Sequence, residues 1–367
     1  MDKFTQKLRH WSYQRQGLLR PNSSLIDALH KVVAVYSAHP SGPLSLWARV
    51  QHFDKQEFIN LDQHQLAVRL PAMRLSNHQM PAATAPYIIA ATLPAKSSNA
   101  WAKRYAQRGL ADADYQQWKL EILKLTTTPQ TAKELKTQIT FDADQLKFVL
   151  NRLSYEGDLL RIGSQSLRSN IIAYVATTHW MNWSEDHLTQ LTQAAGLQWL
   201  AKAYFSAFAP ARVKDFQWWA GINAGQAQAA IQTLDVVQLP NDYLILAEDA
   251  QAFEHFEPTL FAQNMVTILP QWDSYLMGYA PDGRARLVAD EHLAKVYGKL
   301  GATGGNALGT LLVNGEVKGI WKHKFKGTQV QFELLFFDKP VAQTTQAVHI
   351  QLNEIGTLME AKKITIT

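Results

Sequence analysis

The sequence predicts a mixed α+β chain: three tandem winged-helix units, each a helix-turn-helix closed by a β-hairpin, followed by an antiparallel β-rich C-terminal domain. Three observations carry this. Two consecutive segments each read helix, helix, helix, strand, turn, strand, which is the order of a winged helix. The N-terminal stretch accepts the same reading. From about Phe261 onward, helical periodicity gives way to short β-type runs.

The second unit, 111–180, is the clearest. Tyr115–Leu125 is amphipathic, and Thr131-Ala-Lys-Glu134 is a capping box that starts a short helix. A third helix runs from about Asp142 through Leu146, Val149, Leu150 and Leu153, and Gly157 is placed to end it. Leu159–Ile162 and Ile171–Val175 then read as strands around the polar turn Gly163–Asn170.

The third unit, 181–260, repeats the order. A helix is expected over His187–Phe205, a short one over Val213–Trp219 after Pro210, and one capped by Asn223 through Ala227, Ala230, Ile231 and Leu234. Val236-Val237 and Tyr243–Leu246 form the hairpin. In the first unit, 1–110, helices are expected from Ser23/Ser24 to Val35, over Leu44–Val50 and over Lys55–Leu61, with strands at Leu66–Leu70 and Tyr87–Ala91.

The last domain, 261–367, has expected strands at Val266–Leu269, Arg284–Val288, Thr310–Val313, Val317–Lys322, Gln329–Phe336 and Ala347–Leu352, with a helix at Glu291–Tyr297. Asn314-Gly315 is a strong hairpin-turn signal. Four domains suit 367 residues, more than one ordinary core holds.

Composition narrows the function. The chain has no cysteine, which removes disulfides, thiolate metal sites and cysteine nucleophiles and fits a cytoplasmic protein. The N-terminus lacks a secretory h-region, and no apolar run is long enough for a membrane helix. Charge is uneven: residues 1–110 hold 14 Lys/Arg against 5 Asp/Glu, a net +9, while the remainder holds 22 against 26, a net −4. A basic module beside a slightly acidic body suits a polyanion such as a phosphate backbone.

No histidine cluster, P-loop or nucleophile elbow emerges, so neither metal nor cofactor is expected. The glycine-rich Gly301–Gly305 reads as a loop. His10, His30, His52, His64 and His187 read as surface or capping residues. The segment Tyr36–Pro43 packs hydroxyls, a histidine, prolines and a glycine behind an amphipathic helix. In extended backbone Ser37 and His39 point the same way, a pair able to hold a water or to serve only a turn. Arg69, Arg74 and His78 fall in one short stretch and suit phosphate contacts. Trp321 beside Lys318, Lys322 and Lys324 reads as a strand-tracking basic patch or a charged sheet edge.

These stretches together resemble the winged-helix DNA glycosylase family of AlkZ and YcaQ. Leu46-Trp47-Ala48-Arg49 is similar to the family's Leu-Trp-Ala-Arg. Arg69, Met73, Arg74, Ser76 and His78 match its Arg-x-x-x-Met-Arg-x-Ser/Thr-x-His signature. The stretch 201–221, Leu269–Tyr279 with Asp273, and Gly304-Gly305-Asn306 with Leu311–Trp321 resemble later motifs, over about residues 20–325 in all.

The resemblance implies three winged helices arranged as a C around duplex DNA. It also implies monofunctional excision of N7-alkylated purines, in which water attacks C1′ as the base leaves, with crosslink unhooking in some members. It places the catalytic pair at Ser37 and His39, where the family has Gln-x-Gln or Gln-x-Asp. DNA contacts are expected at Arg49, Arg69, Arg74, His78, Lys318, Trp321, Lys322 and Lys324, with further motif positions at Trp47, Asp273 and Asn306. The expected partner is alkylated or crosslinked double-stranded DNA, bound by a monomer in the nucleoid. The alternative is a non-catalytic DNA-binding protein, a regulator or lesion binder.

Overall fold

A computed structural model of the chain describes residues 2–94, 100–183, 191–258, 265–298 and 306–367. It is a mixed α+β chain with sheets of six, five and two strands among the described residues. The expected start at His187 and the Gly301–Gly305 loop lie outside them. No helix among them is long and apolar enough to cross a membrane.

The chain opens with helix Lys3–Arg15, capped by Asp2 and absent from the expected elements. It buries Leu8, Trp11 and Tyr13, and Trp11 sits edge-on to Phe253 and Phe256, with ring centroids 5.4 and 5.3 Å away. Helices Leu25–Lys31, Ser41–Trp47 and Lys55–Gln63 follow, with β1 (Val35–Tyr36), β2 (Ala67–Pro71) and β3 (Asn77–Pro81) between and after them. The expected strand at Tyr87–Ala91 is instead part of helix Ala85–Thr92. Its apolar run is packed on helix Gln193–Phe208, and a short buried helix has the same pattern as a buried strand.

The segment 111–180 contains helices Asp112–Leu125, Ala132–Lys136 and Leu146–Tyr155, the short strand β4 (Gln130–Thr131), and then β5 (Leu159–Ile162) and β6 (Ala173–Ala176). The capping box forms: Glu134 N–H donates to Thr131 Oγ1, and Thr131 N–H donates to Glu134 Oε2. A contact at Arg69↔Arg161 joins β2 to β5. The hairpins of the first two segments thus merge into one antiparallel sheet, in the order β1-β3-β2-β5-β6-β4.

The segment 191–258 holds helices Gln193–Phe208, Val213–Ala220 and Ala224–Ile231, the hairpin β7 (Val236–Gln238) and β8 (Leu244–Leu246), and helix Ala247–Glu254. The C-terminal sheet runs β13-β12-β11-β10-β9, from β9 (Val266–Leu269), β10 (Gly309–Val313), β11 (Glu316–Lys326), β12 (Gln329–Phe336) and β13 (Lys363–Ile366). Asn314-Gly315 makes the β10–β11 turn.

Three expectations fail here. Arg284–Val288 is not a strand: Pro281–Arg286 is a 3₁₀ turn, whose Arg284 and Arg286 lie over the rings of Tyr297 and Tyr279. Ala347–Leu352 belongs to helix Ala342–Leu358, where Val348, Leu352 and Ile355 form a buried helical seam too short to recognise in six residues. The sheet is not wholly antiparallel, because β13 runs parallel to β12.

The largest apolar core is continuous across the expected boundaries. It runs from Trp11 and Met73 through Val175 and Phe205 to Tyr275 and Val317.

Candidate functional site

β1 and β3 pair antiparallel, with Tyr36 opposite His78 and Val35 opposite Gln79. Side chains alternate across a strand, so each pair shares one face of the sheet. On the Tyr36 face lies a pocket of about 140 Å³, lined by Tyr36, Arg74, Ser76, His78, Trp219, Trp272, Ser274, Met277 and Asn306, among others. The Tyr36 and His78 rings meet edge to face, 6.4 Å apart, and the Trp272 ring lies 4.5 Å from Tyr36. Trp272 Nε1 donates to Asn306 Oδ1 at 3.2 Å.

The state of His78 follows from its contacts. Its Nδ1 lies 2.9 Å from the Ser76 carbonyl, which can only accept, so Nδ1 carries the proton and Nε2 the lone pair. Among the described residues, no hydrogen-bond partner is seen for Nε2. Burial, reinforced by the nearby Arg74, holds the pKa down to about 4 against the Ser76 hydrogen bond, so the ring is neutral near pH 7. Arg74 lines the same pocket, with its guanidinium 3.9 Å from the centre of the Trp218 ring.

The opposite face holds a buried ionic network. Arg69 Nε donates to Asp62 at 2.7 Å, and its Nη1 donates to Ser37 O at 2.9 Å and to His39 Nε2 at 3.1 Å. Asp62 also accepts from Gln79 Nε2 at 2.9 Å and from Gly163 N–H at 3.0 Å. His39 Nδ1 donates to Ser166 O at 3.1 Å, while its backbone N–H and C=O bond the Asn170 amide. Burial and then Arg69 hold the His39 pKa down to about 4.

This geometry places the expected catalytic pair away from the pocket. Both ring nitrogens of His39 are committed, so it joins β1 to the 163–170 loop and has no lone pair left for a water. Neither Ser37 nor His39 lines the pocket. The residue facing it is Tyr36, one position earlier.

Several expected DNA contacts are internal as well. Arg49 is fully buried and makes a two-pronged pair with Asp273, at 2.7 and 2.8 Å. Asp273 in turn caps helix Ser274–Met277, whose Ser274 Oγ donates to Ala34 O at 3.1 Å. The Arg49–Asp273 pair therefore sets the wall of the pocket that carries Trp272, Ser274 and Met277.

Arg69 is buried in the network above, and Arg9 pairs with Glu316 at 3.0 Å. Part of the N-terminal positive charge is thus spent inside the fold. Trp321 is only 4% exposed and donates Nε1 to Leu269 O, so its ring packs the sheet core and is closed to a nucleic-acid base. Lys318 pairs with Glu316, whereas Lys322 and Lys324 are exposed on β11. Trp47 packs against the core of the C-terminal sheet. His10 is buried, against the surface reading.

The structure therefore brings together Arg74, His78 and Asn306 from the sequence reading and adds Tyr36 and Trp272. The signal for Tyr36 was the parity of β1. Trp272 stood inside the Leu269–Tyr279 motif and was not read as a site residue.

The described residues thus form a mixed α+β chain with an aromatic pocket beside Arg74, which has no carboxylate partner among them. The structure of the Streptomyces sahachiroi DNA glycosylase AlkZ matches it with a TM-score of 0.74 at 16% identity, covering 99% of this chain and 98% of that one. The sequence matches the family described as DNA glycosylase AlkZ-like over residues 33–358, and the chain belongs to that family. A search of curated proteins gave no match.

Proposed function

We propose that this chain is a monofunctional DNA glycosylase that removes N7-alkylated purines from duplex DNA, with the Tyr36–His78 pocket as its site. We further read the segments 1–110, 111–180 and 181–260 as three winged helices that curve as a C around the duplex, with 261–367 as a β-rich C-terminal unit, acting as a monomer. The helix and hairpin order of the segments supports the winged-helix part of this reading.

The observation that carries the proposal is the placement of His78, which lines a pocket walled by Tyr36 and Trp272 and gives its Nδ1–H to the Ser76 carbonyl, with no partner for Nε2 among the described residues. An N7-alkylated purine is cationic, and the electron-rich faces of Tyr36 and Trp272 suit it. As the N9–C1′ bond breaks, its electron pair leaves with the base and cancels that charge. Water then bonds to C1′, and its proton passes to His78 Nε2 and on to solvent. A histidine of such low basicity positions the water by hydrogen bonding; it does not ionise it beforehand. The cationic base is already a good leaving group, so no strong acid is needed.

A second reading is favoured by one observation: no carboxylate lines the pocket among the described residues. On that reading the chain binds the lesion without cutting. Incubation with a duplex carrying N7-methylguanine separates the two. A glycosylase frees the base faster than spontaneous depurination, and a lesion binder retains it.

A further inference from the structure

Arg74 enters the pocket from a turn in which it and Leu75 both have positive φ, 52° and 58°. L-residues adopt this conformation rarely, so neighbouring structure must hold it. Gly221 does so. It ends helix Val213–Ala220 in the left-handed conformation, φ 75°. A Cβ there would lie 2.8 Å from Arg74 N and 2.9 Å from Arg74 Cα, so only glycine allows this approach.

Three residues earlier on the same helix, Trp218 lays its ring 3.9 Å from the Arg74 guanidinium. The same ring lies 5.0 Å from Arg284, which lies 4.0 Å from the Tyr297 ring. Two cations therefore share one indole. Burial and the neighbouring Arg284 bring the Arg74 pKa down to about 10, with no carboxylate acting on it, and the group stays protonated. A guanidinium stacked on a ring keeps its N–H edge for a planar, two-pronged acceptor.

We propose that Trp218 and Gly221 are positioning residues that hold Arg74 as a clamp for one phosphodiester of the strand entering the pocket. This rests on the reading that the pocket receives a nucleotide, but its test reads binding and not base release.

The full chain is titrated with a duplex carrying a tetrahydrofuran abasic site, over a range of salt concentrations. Arg74→Ala and Trp218→Leu are each expected to weaken binding about ten-fold and to lower the slope of log K against log salt by about one, the release of one phosphate contact. Trp218→Phe keeps a ring and restores the slope. The Arg74→Ala/Trp218→Leu double variant matches Arg74→Ala alone. Gly221→Ala behaves like Trp218→Leu. An unchanged slope in Arg74→Ala overturns the clamp. A Trp218→Leu loss as large in the Arg74→Ala background as in the wild type overturns the positioning role. Trp218 is half-buried, so its variants decide the matter even if Gly221→Ala fails to fold.

Discussion

Tyr36 and His78 face each other across β1 and β3, with rings edge to face at 6.4 Å, while His39, three residues along the chain from Tyr36, gives its Nε2 lone pair to Arg69 on the other side of the sheet. That division separates residues that shape the pocket from residues that hold the sheet.

Changing the joint should cost stability and leave chemistry intact. His39→Ala removes hydrogen bonds to Ser166 and Arg69 in a buried site, and a loss of about 1–3 kcal/mol is expected. Denaturant titration measures it. Ser37→Ala should retain wild-type base release, since the Ser37 contact to Arg69 is through its carbonyl. A hundred-fold slower release by Ser37→Ala would return catalysis to that residue.

The Arg49–Asp273 pair is fully buried on both sides. Asp273→Asn leaves Arg49 with an unmatched charge, and a destabilisation of about 3–5 kcal/mol follows. The same variant weakens the cap of helix Ser274–Met277 and with it the wall of the pocket. A chemical melt with no shift in midpoint would show that this pair does not hold the C-terminal sheet to the first segment.

The aromatic wall should act in binding. Trp272→Ala removes the ring packed on Tyr36 and is expected to raise KM about ten-fold for a cationic lesion, with Tyr36→Phe close to wild type because the ring face remains. Steady-state kinetics on N7-methylguanine duplex distinguishes this from a change confined to kcat.

Acid should destabilise the fold through histidines buried as neutral rings. His10, His39 and His78 each have a pKa held down to about 4, below the ordinary 6.5. Above pH 6.5 neither state takes up the proton and this stability is fully present. As pH falls below 6.5 the unfolded chain binds protons that the folded chain refuses, so stability drops until about pH 4. Each histidine adds a slope of up to roughly 1.4 kcal/mol per pH unit. Melts between pH 7.5 and 5 check this, and His39→Asn should flatten the dependence.

Much of the helix and hairpin order was legible because caps and turns are local. The Thr131–Glu134 box, the Asn223 cap and the Asn314-Gly315 turn all formed where the residues place them. Ala85–Thr92 and Ala342–Leu358 were misread because short apolar runs fit either period. The family motifs mark segments that border the pocket, but several of their residues are buried away from it. Arg49, Arg69 and Trp321 are charged or aromatic, as DNA contacts are, yet partners distant in sequence, or packing in the sheet core, bury them. The face that Tyr36 presents depends on a two-residue strand, and a shift of one residue turns every side chain to the opposite face.

On the proposed function, His78 serves the reaction from the Tyr36 face. Single-turnover release of N7-methylguanine by wild type, His78→Ala and His39→Ala, each at saturating enzyme, tests it most directly. Release above the spontaneous rate is expected from wild type and His39→Ala, with a rate at least about a hundred-fold lower in folded His78→Ala. Wild-type release no faster than spontaneous loss, or His78→Ala as fast as wild type, would contradict it.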